Sequence, residues 1–266
     1  MGVDKRRRLP AWQRQTLEKR LGGRASSPRG ASAPPVALFN DTFLNHYHPE
    51  IGIAAIETLE RGGYAVNAIH PGCCGRPLIS QGLLGEAQAN AAKLIEALAP
   101  IAERGEKIVF CEPSCLSAIK EDVPALLRGE QQQRARSVAK ACVLFDEFAA
   151  QLDLPLRPGP SRILLHGHCH QKSMGLLSAS VALLSRIPGA TVVDLDAGCC
   201  GMAGSFGYGH YDVSVAIANR RLLPAVKEMK QGDVLAATGT SCRQQVKDLA
   251  GATVLHPAVL IRGLLT

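Results

Sequence analysis

Nine cysteines stand in a chain of 266 residues, and four of them form two adjacent pairs, Cys73-Cys74 in HPGCCGRPL and Cys199-Cys200 in DAGCCGMAG. Neighbouring cysteines rarely pair with each other, because the eight-membered disulfide ring strains the peptide between them. Sulfur-rich sites select zinc, Cu(I) or iron–sulfur clusters. Zinc ribbons use two short Cys-x2-Cys pairs, which neither stretch has. Two neighbouring thiolates fit one tetrahedral ion poorly but can reach different irons of a cluster. Around the second pair, Cys169 in HGHCHQK and Cys242 in GTSCR complete four sulfurs, enough for a four-iron cluster. Around the first pair, Cys111 and Cys115 follow in FCEPSCL, and no cysteine precedes it.

The spacing reads as a duplication. Cys73 and Cys199 are 126 positions apart, Cys115 and Cys242 are 127 apart, and a shift of 127 carries Cys169 onto Thr42. Gathering such distant residues requires a fold that returns each segment to one edge. VALF, YAVNAI and KIVF read as strands in the first copy; RILLHG, ATVVDLD and VLAATG do so in the second, with ATVLHP as a last strand. Helical stretches such as PEIGIAAIETLERGG and LLGEAQANAAKLIEALAPIAERG separate them. Alternating strands and helices imply parallel sheets. In such sheets ligands bind beyond the carboxyl ends of the strands, where every special cysteine falls. The expected fold is α/β, with two duplicated doubly wound parallel-sheet subdomains in a pseudo-two-fold arrangement. Residues 1–34 read as a basic arm and flexible linker, 35–130 as the first copy, 131–160 as a connecting helix and 161–266 as the second copy. Cys142, among apolar residues of that helix, reads as a small core side chain.

Composition narrows the class. Residues 1–30 carry nine Lys or Arg against two acids, while the remaining residues carry 21 of each sign. The basic balance therefore belongs to the arm, which reads as a solvated linker or a docking segment and not as a nucleic-acid site, since only Trp12 is interleaved with its charges. No apolar run approaches the ~20 residues that cross a bilayer, and the N-terminus has no secretory h-region. A cytoplasmic location is expected, where thiols stay reduced.

The stretches CCGRPLISQGLL, EPSCL, HGHCHQK, CCGMAGSFGY and GTSCR, in that order over residues 35–262, resemble the cysteine-rich (CCG) domain family. That domain occurs twice in the B subunit of heterodisulfide reductase, and also in iron–sulfur subunits of glycolate oxidase, glycerol-3-phosphate dehydrogenase and lactate-utilisation systems. The wording is most similar to the C-terminal part of fused FAD-linked oxidases of the D-2-hydroxyglutarate dehydrogenase type. The resemblance implies a noncubane [4Fe-4S] cluster on five cysteines per full motif. Both copies depart from that motif. The first has Asp41 or Thr42 in place of the leading cysteine, and its Cys111 precedes Cys115 by four positions instead of three; the second has Thr238 or Gly239 where a fifth cysteine would stand. Copy two, with Cys169, Cys199, Cys200 and Cys242, is the expected cluster site. Cys73, Cys74, Cys115 and Cys111 hold a second cluster or remain as a structural remnant.

The resemblance further implies an electron-transfer component, inactive on a hydroxy acid without a flavin domain. Its partners would be an FAD-linked dehydrogenase subunit, which carries the FAD, and a ferredoxin-type domain, with no nucleic acid and at most peripheral membrane association. The start of the chain resembles the connector that follows the ferredoxin part in fused relatives. Two rivals stand beside this reading: a thiol–disulfide reductase subunit, and a non-redox zinc-bound or metal-free interaction domain. Among weaker signals, GMAGSFG invites a phosphate-loop reading, although its glycines could equally let backbone approach a cluster. His166, His168 and His170 would share one face of an extended segment, and either bind a metal or orient neighbours. Arg76, Lys172 and Arg243 are placed to offset thiolate charge or to bind an anion.

Overall fold

Two four-stranded sheets, every strand parallel to its neighbours, organise the chain in the computed structural model, which describes residues 2–22 and 33–266. The first contains β1 (Pro35–Phe39), β2 (Ala65–Ile69), β3 (Lys107–Phe110) and β4 (Cys142–Leu144), in the order β2-β1-β3-β4. The second contains β5 (Arg162–Leu165), β6 (Thr191–Asp194), β7 (Val234–Ala236) and β8 (Val254–Leu255), in the order β6-β5-β7-β8. The two orders are the same, and each sheet is flanked by helices, as expected of a duplicated doubly wound α/β chain. The sheets belong to separate compact units, one of residues 12–154 and one of residues 1–11 with 155–266.

Within the first unit the central strands are buried on both faces, which suits their unbroken apolar runs. Phe39 and Phe110, both fully buried, stack with ring centroids 4.5 Å apart across the β1–β3 neighbourhood. The helix Pro49–Arg61 begins on a proline, whose missing N–H costs nothing there, and buries Ile51, Ala55 and Leu59. Leu17 packs onto it at Gly52, where a β-carbon would lie 2.3 Å from a leucine methyl. In the second unit Ile163, Leu165 and Ala236 are fully buried, whereas β6 and β8 are partly exposed.

The segment expected as one connecting helix is instead three elements, the helix Gly129–Ala141, then β4, then the helix Phe145–Ala149. Cys142, Val143 and Leu144 align in parallel with Ile108, Val109 and Phe110. Burial against β3 overrides the helical tendency of the flanks. Cys142 is a core residue, as read from sequence, but on a strand.

The arm is also more structured than a solvated linker. Residues 2–11 belong to the unit of 155–266, where Arg7 is buried; Trp12 stacks on His46 at 4.3 Å in the other unit. Of the linker expected over 22–35, residues 23–32 lie outside the described residues. Among the described residues no helix is long and apolar enough to cross a membrane.

Candidate metal centre

In the second unit, three strand ends deliver four sulfurs. After β5 the chain runs through His166 and Gly167 to His168, whose Nδ1 accepts the His170 N–H at 3.2 Å and so caps the short helix Cys169–Ser173. The loop after β6 carries Cys199 and Cys200. The helix Thr240–Ala250, following β7, holds Cys242 in its first turn. The thiols form one hydrogen-bonded chain: Cys169 donates to Cys199, and the Cys200 S–H is shared between Cys199 and Cys242. Cys200 and Cys242 are buried in an apolar cluster with Met202, Leu222, Leu235 and Val246, whereas Cys169 is exposed and Cys199 partly so.

This chain of sulfurs sorts itself by charge. Hydrogen bonds from Cys169 and Cys200, together with the Gly201 N–H at 3.3 Å, bring Cys199 down to about 2. Cys242 is also held well below its ordinary value, first by Cys200 and then by His168 and His166 beside it. Cys169 and Cys200, which donate these bonds, are pushed up, with burial adding to the effect. Four sulfurs within hydrogen-bonding reach of one another form a soft donor set that fits an iron–sulfur cluster.

The first unit repeats the plan with weaker means. Thr42, at the position equivalent to Cys169, donates its hydroxyl to Cys73; Cys73 donates to Cys74, and Cys74 to Cys115. All three thiols are raised. Cys74 is lifted by its bond to Cys115. Against the lowering bond from Cys74, Cys115 is pushed up to about 12 by burial and by the negative Asp41 and Glu112. Carboxylates thus stand beside Cys115 in one copy, and imidazoles beside Cys199 and Cys242 in the other. Asp41 caps the helix Thr42–His46, its Oδ1 accepting from the Phe43 and Leu44 N–H groups. Cys111 is buried directly after β3.

The position of the missing fifth cysteine in the second copy has a physical reason. Thr238 is buried, with its hydroxyl donating to Gln171 at 3.1 Å. At Gly239 a β-carbon would lie 2.1 Å from the His168 ring, so no side chain fits. The segment does not stay extended through all three histidines, because the chain turns into a helix at Cys169. His168 stacks with His170, while His166 approaches Cys200 and Cys242, all three ligand atoms lying within 4.8 Å of one another.

The cations have other partners. Arg76 bonds Ser117 and Asp122, both at 2.7 Å; Lys172 lies 3.6 Å from Asp196; and Arg243 donates to the carbonyls of Ala237 and Thr238. In GMAGSFG, Gly201 adopts φ +92°, and a β-carbon there would sit 2.4 Å from the Ser214 carbonyl oxygen, while one at Gly207 would meet Met202 and Ser214. These glycines pack the loop on the helix Tyr211–Ala218, and the Gly201 N–H reaches sulfur as expected. Gly201→Ala should therefore cost about 1–3 kcal/mol from backbone strain and lower the bound iron, checked by urea denaturation and iron stoichiometry.

Two buried glutamines were not singled out from sequence. Gln171 donates to Ser180 and to the Leu176 carbonyl and accepts from Thr238, joining the Cys169 helix to the end of β7. Gln245 donates to the Cys200 carbonyl at 2.9 Å and accepts from Arg7 at 2.7 Å. Their position within three residues of a cysteine was the only signal available.

Fold and site together define a duplicated α/β domain that collects cysteines beyond the carboxyl ends of parallel strands. The model of the cysteine-rich domain family, CCG, matches residues 40–120 and 163–247, and the chain belongs to that family. It is 26% identical over 266 residues to the C subunit of anaerobic glycerol-3-phosphate dehydrogenase from Escherichia coli strain K12, covering 97% of this chain and 66% of that one. It is 28% identical over 222 residues to lactate utilization protein A of Exiguobacterium, covering 80% and 89% of the two chains. With D-2-hydroxyglutarate dehydrogenase of Pseudomonas putida it shares 26% over 231 residues, 85% of this chain but 22% of that protein. The chain thus spans just under two thirds of the glycerol-3-phosphate dehydrogenase relative.

Proposed function

We propose that this chain is an iron–sulfur electron-transfer subunit, or part of one, serving an FAD-linked dehydrogenase of a 2-hydroxy acid or a related alcohol. Cys169, Cys199, Cys200 and Cys242 would hold a [4Fe-4S] cluster, and Cys73, Cys74, Cys115 and Cys111 would remain without iron. The observation that carries the reading is the continuous chain of four thiols in the second unit, with the Cys200 and Cys242 sulfurs within 4.8 Å of each other. When bound, the cluster would supply one-electron redox chemistry; the residues of the chain hold it, exclude water on the Cys200 and Cys242 side, and leave the Cys169 edge open to a partner. The partners would be the flavin-bearing subunit and a ferredoxin-type domain, which pass electrons on to a quinone or another carrier. A cytoplasmic site with at most peripheral membrane contact suits reduced thiols. The relatives, all named as dehydrogenase or lactate-utilisation components, support this class of reaction.

The test is anaerobic purification followed by iron and acid-labile sulfide analysis. Near-equal amounts, about four of each per chain, are expected. Zinc alone, or no metal, would overturn the reading. Cys142→Ser provides the control. Its iron content should match the parent protein, while a hydroxyl placed in the apolar core should lower stability by about 1–3 kcal/mol.

A further inference from the structure

We propose that His166 is an iron ligand of the cluster held in the second unit, so that its donor set includes a nitrogen as well as sulfurs. The inference rests on the cluster reading above and adds to it a ligand that no cysteine count suggests. His166 is 2% exposed; its ring is hydrogen-bonded to the Cys242 sulfur, and its other ring nitrogen has no partner among the described residues. A buried polar atom left without a partner costs about 1–3 kcal/mol, and this imidazole leaves one. The ring lies where a metal would meet it, with its ligand nitrogen within 4.8 Å of the sulfurs of Cys200 and Cys242.

The backbone fixes this placement. His166 is the first residue beyond β5, and its N–H donates to the Ala236 carbonyl at 2.9 Å, which ties it to the end of β7. The other histidines of HGHCHQK do not compete for the role. His168 accepts the His170 N–H and fills the space above Gly239, and His170 stacks on His168. The ring occupying the space above Gly239 also shuts out a cysteine there, so any ligand beyond the four cysteines comes from another direction. His166 supplies one from the neighbouring strand end. A neutral imidazole lone pair suits iron as well as thiolate does. Replacing a thiolate by a histidine leaves the cluster less negative and raises its potential.

The experiment is pulsed EPR of the anaerobically purified full chain, in its paramagnetic state, grown with natural-abundance or 15N-labelled histidine. Direct ligation predicts a strong nitrogen coupling that changes from the 14N to the 15N pattern on labelling. His166→Cys should keep the parent iron content, lose that coupling and shift the midpoint potential in the negative direction. Iron present with no histidine nitrogen coupling in the parent protein would overturn this inference alone, as would a coupling that survives His166→Cys. A parent protein free of iron would overturn the cluster reading and the inference with it. Where His166→Cys fails to fold, His168→Asn and His170→Asn keep the assignment testable, since loss of the coupling in either would overturn the inference.

Discussion

Cys200→Ser is expected to strip most of the iron from the anaerobically purified protein, whereas Cys74→Ser, its counterpart in the other copy, should leave the iron content near the parent value. Cys200 is the central link of its chain, sharing its proton between Cys199 and Cys242 while its own carbonyl is held by Gln245. Serine keeps the size and a hydroxyl proton, so the fold should persist, but it replaces a soft donor with a hard one at a site selected for softness. Changing a residue that merely supports a ligand costs 10–100-fold in metal affinity as a rough guide, and losing a ligand should cost more. Cys74 donates to Cys115, whose thiol is pushed up by burial and by the negative Asp41 and Glu112. Negative carboxylates beside Cys115 oppose the loss of a proton that iron binding requires. Iron analysis with circular dichroism as a folding check decides the point. Full iron retention in Cys200→Ser combined with loss in Cys74→Ser would put the cluster in the first unit.

Much of this arrangement is legible in the chain itself, and the exceptions share a cause. Strands such as Val36–Phe39 and Ile163–Leu165 are unbroken apolar runs that end where polar, glycine or cysteine residues begin, so their carboxyl ends announce the site. The duplication then doubled the signal. β4 was hidden because three residues, Cys142, Val143 and Leu144, sit between helix-forming stretches, and only their alignment with β3 makes them a strand. The equivalent strand in the other copy, β8, was visible because Gly251 and Pro257 bracket it. The histidines obey a related rule. Alternation predicts a shared face only while the backbone stays extended, and His168 ends that extension by capping the helix at Cys169. What local pattern cannot convey is which distant partner a polar side chain will find, and this is the case for Gln171, Gln245 and His166.

Arg7→Ala is expected to destabilise the unit of residues 155–266 by about 3–5 kcal/mol, the cost of removing one partner from a buried charged network. No property of KRRR separates Arg7 from Arg6 or Arg8 in the sequence, yet its side chain is fully buried. It donates to the Gly207 carbonyl at 2.8 Å, to Ser214 Oγ at 2.7 Å and to Gln245 Oε1 at 2.7 Å, and lies 3.6 Å from the buried carboxylate of Asp248. Alanine would leave that carboxylate and the Gln245 oxygen facing an apolar interior. Arg7→Lys should recover only part of the loss, since one ammonium cannot match a fork that serves three acceptors at once. The effect should reach the sulfurs, because Gln245, oriented by Arg7, in turn holds the Cys200 carbonyl and Ser214. Faster loss of iron to a chelator should therefore accompany the lower stability. Arg6 provides the contrast: its partners Asp4 and Asp212 are at the surface, where solvent screens the pairs, so Arg6→Ala should change neither quantity measurably. Urea denaturation followed by amide exchange over 234–246 reads the first effect and chelator kinetics the second. Equal behaviour of the Arg6 and Arg7 variants would mean that the N-terminal residues contribute nothing to the metal centre.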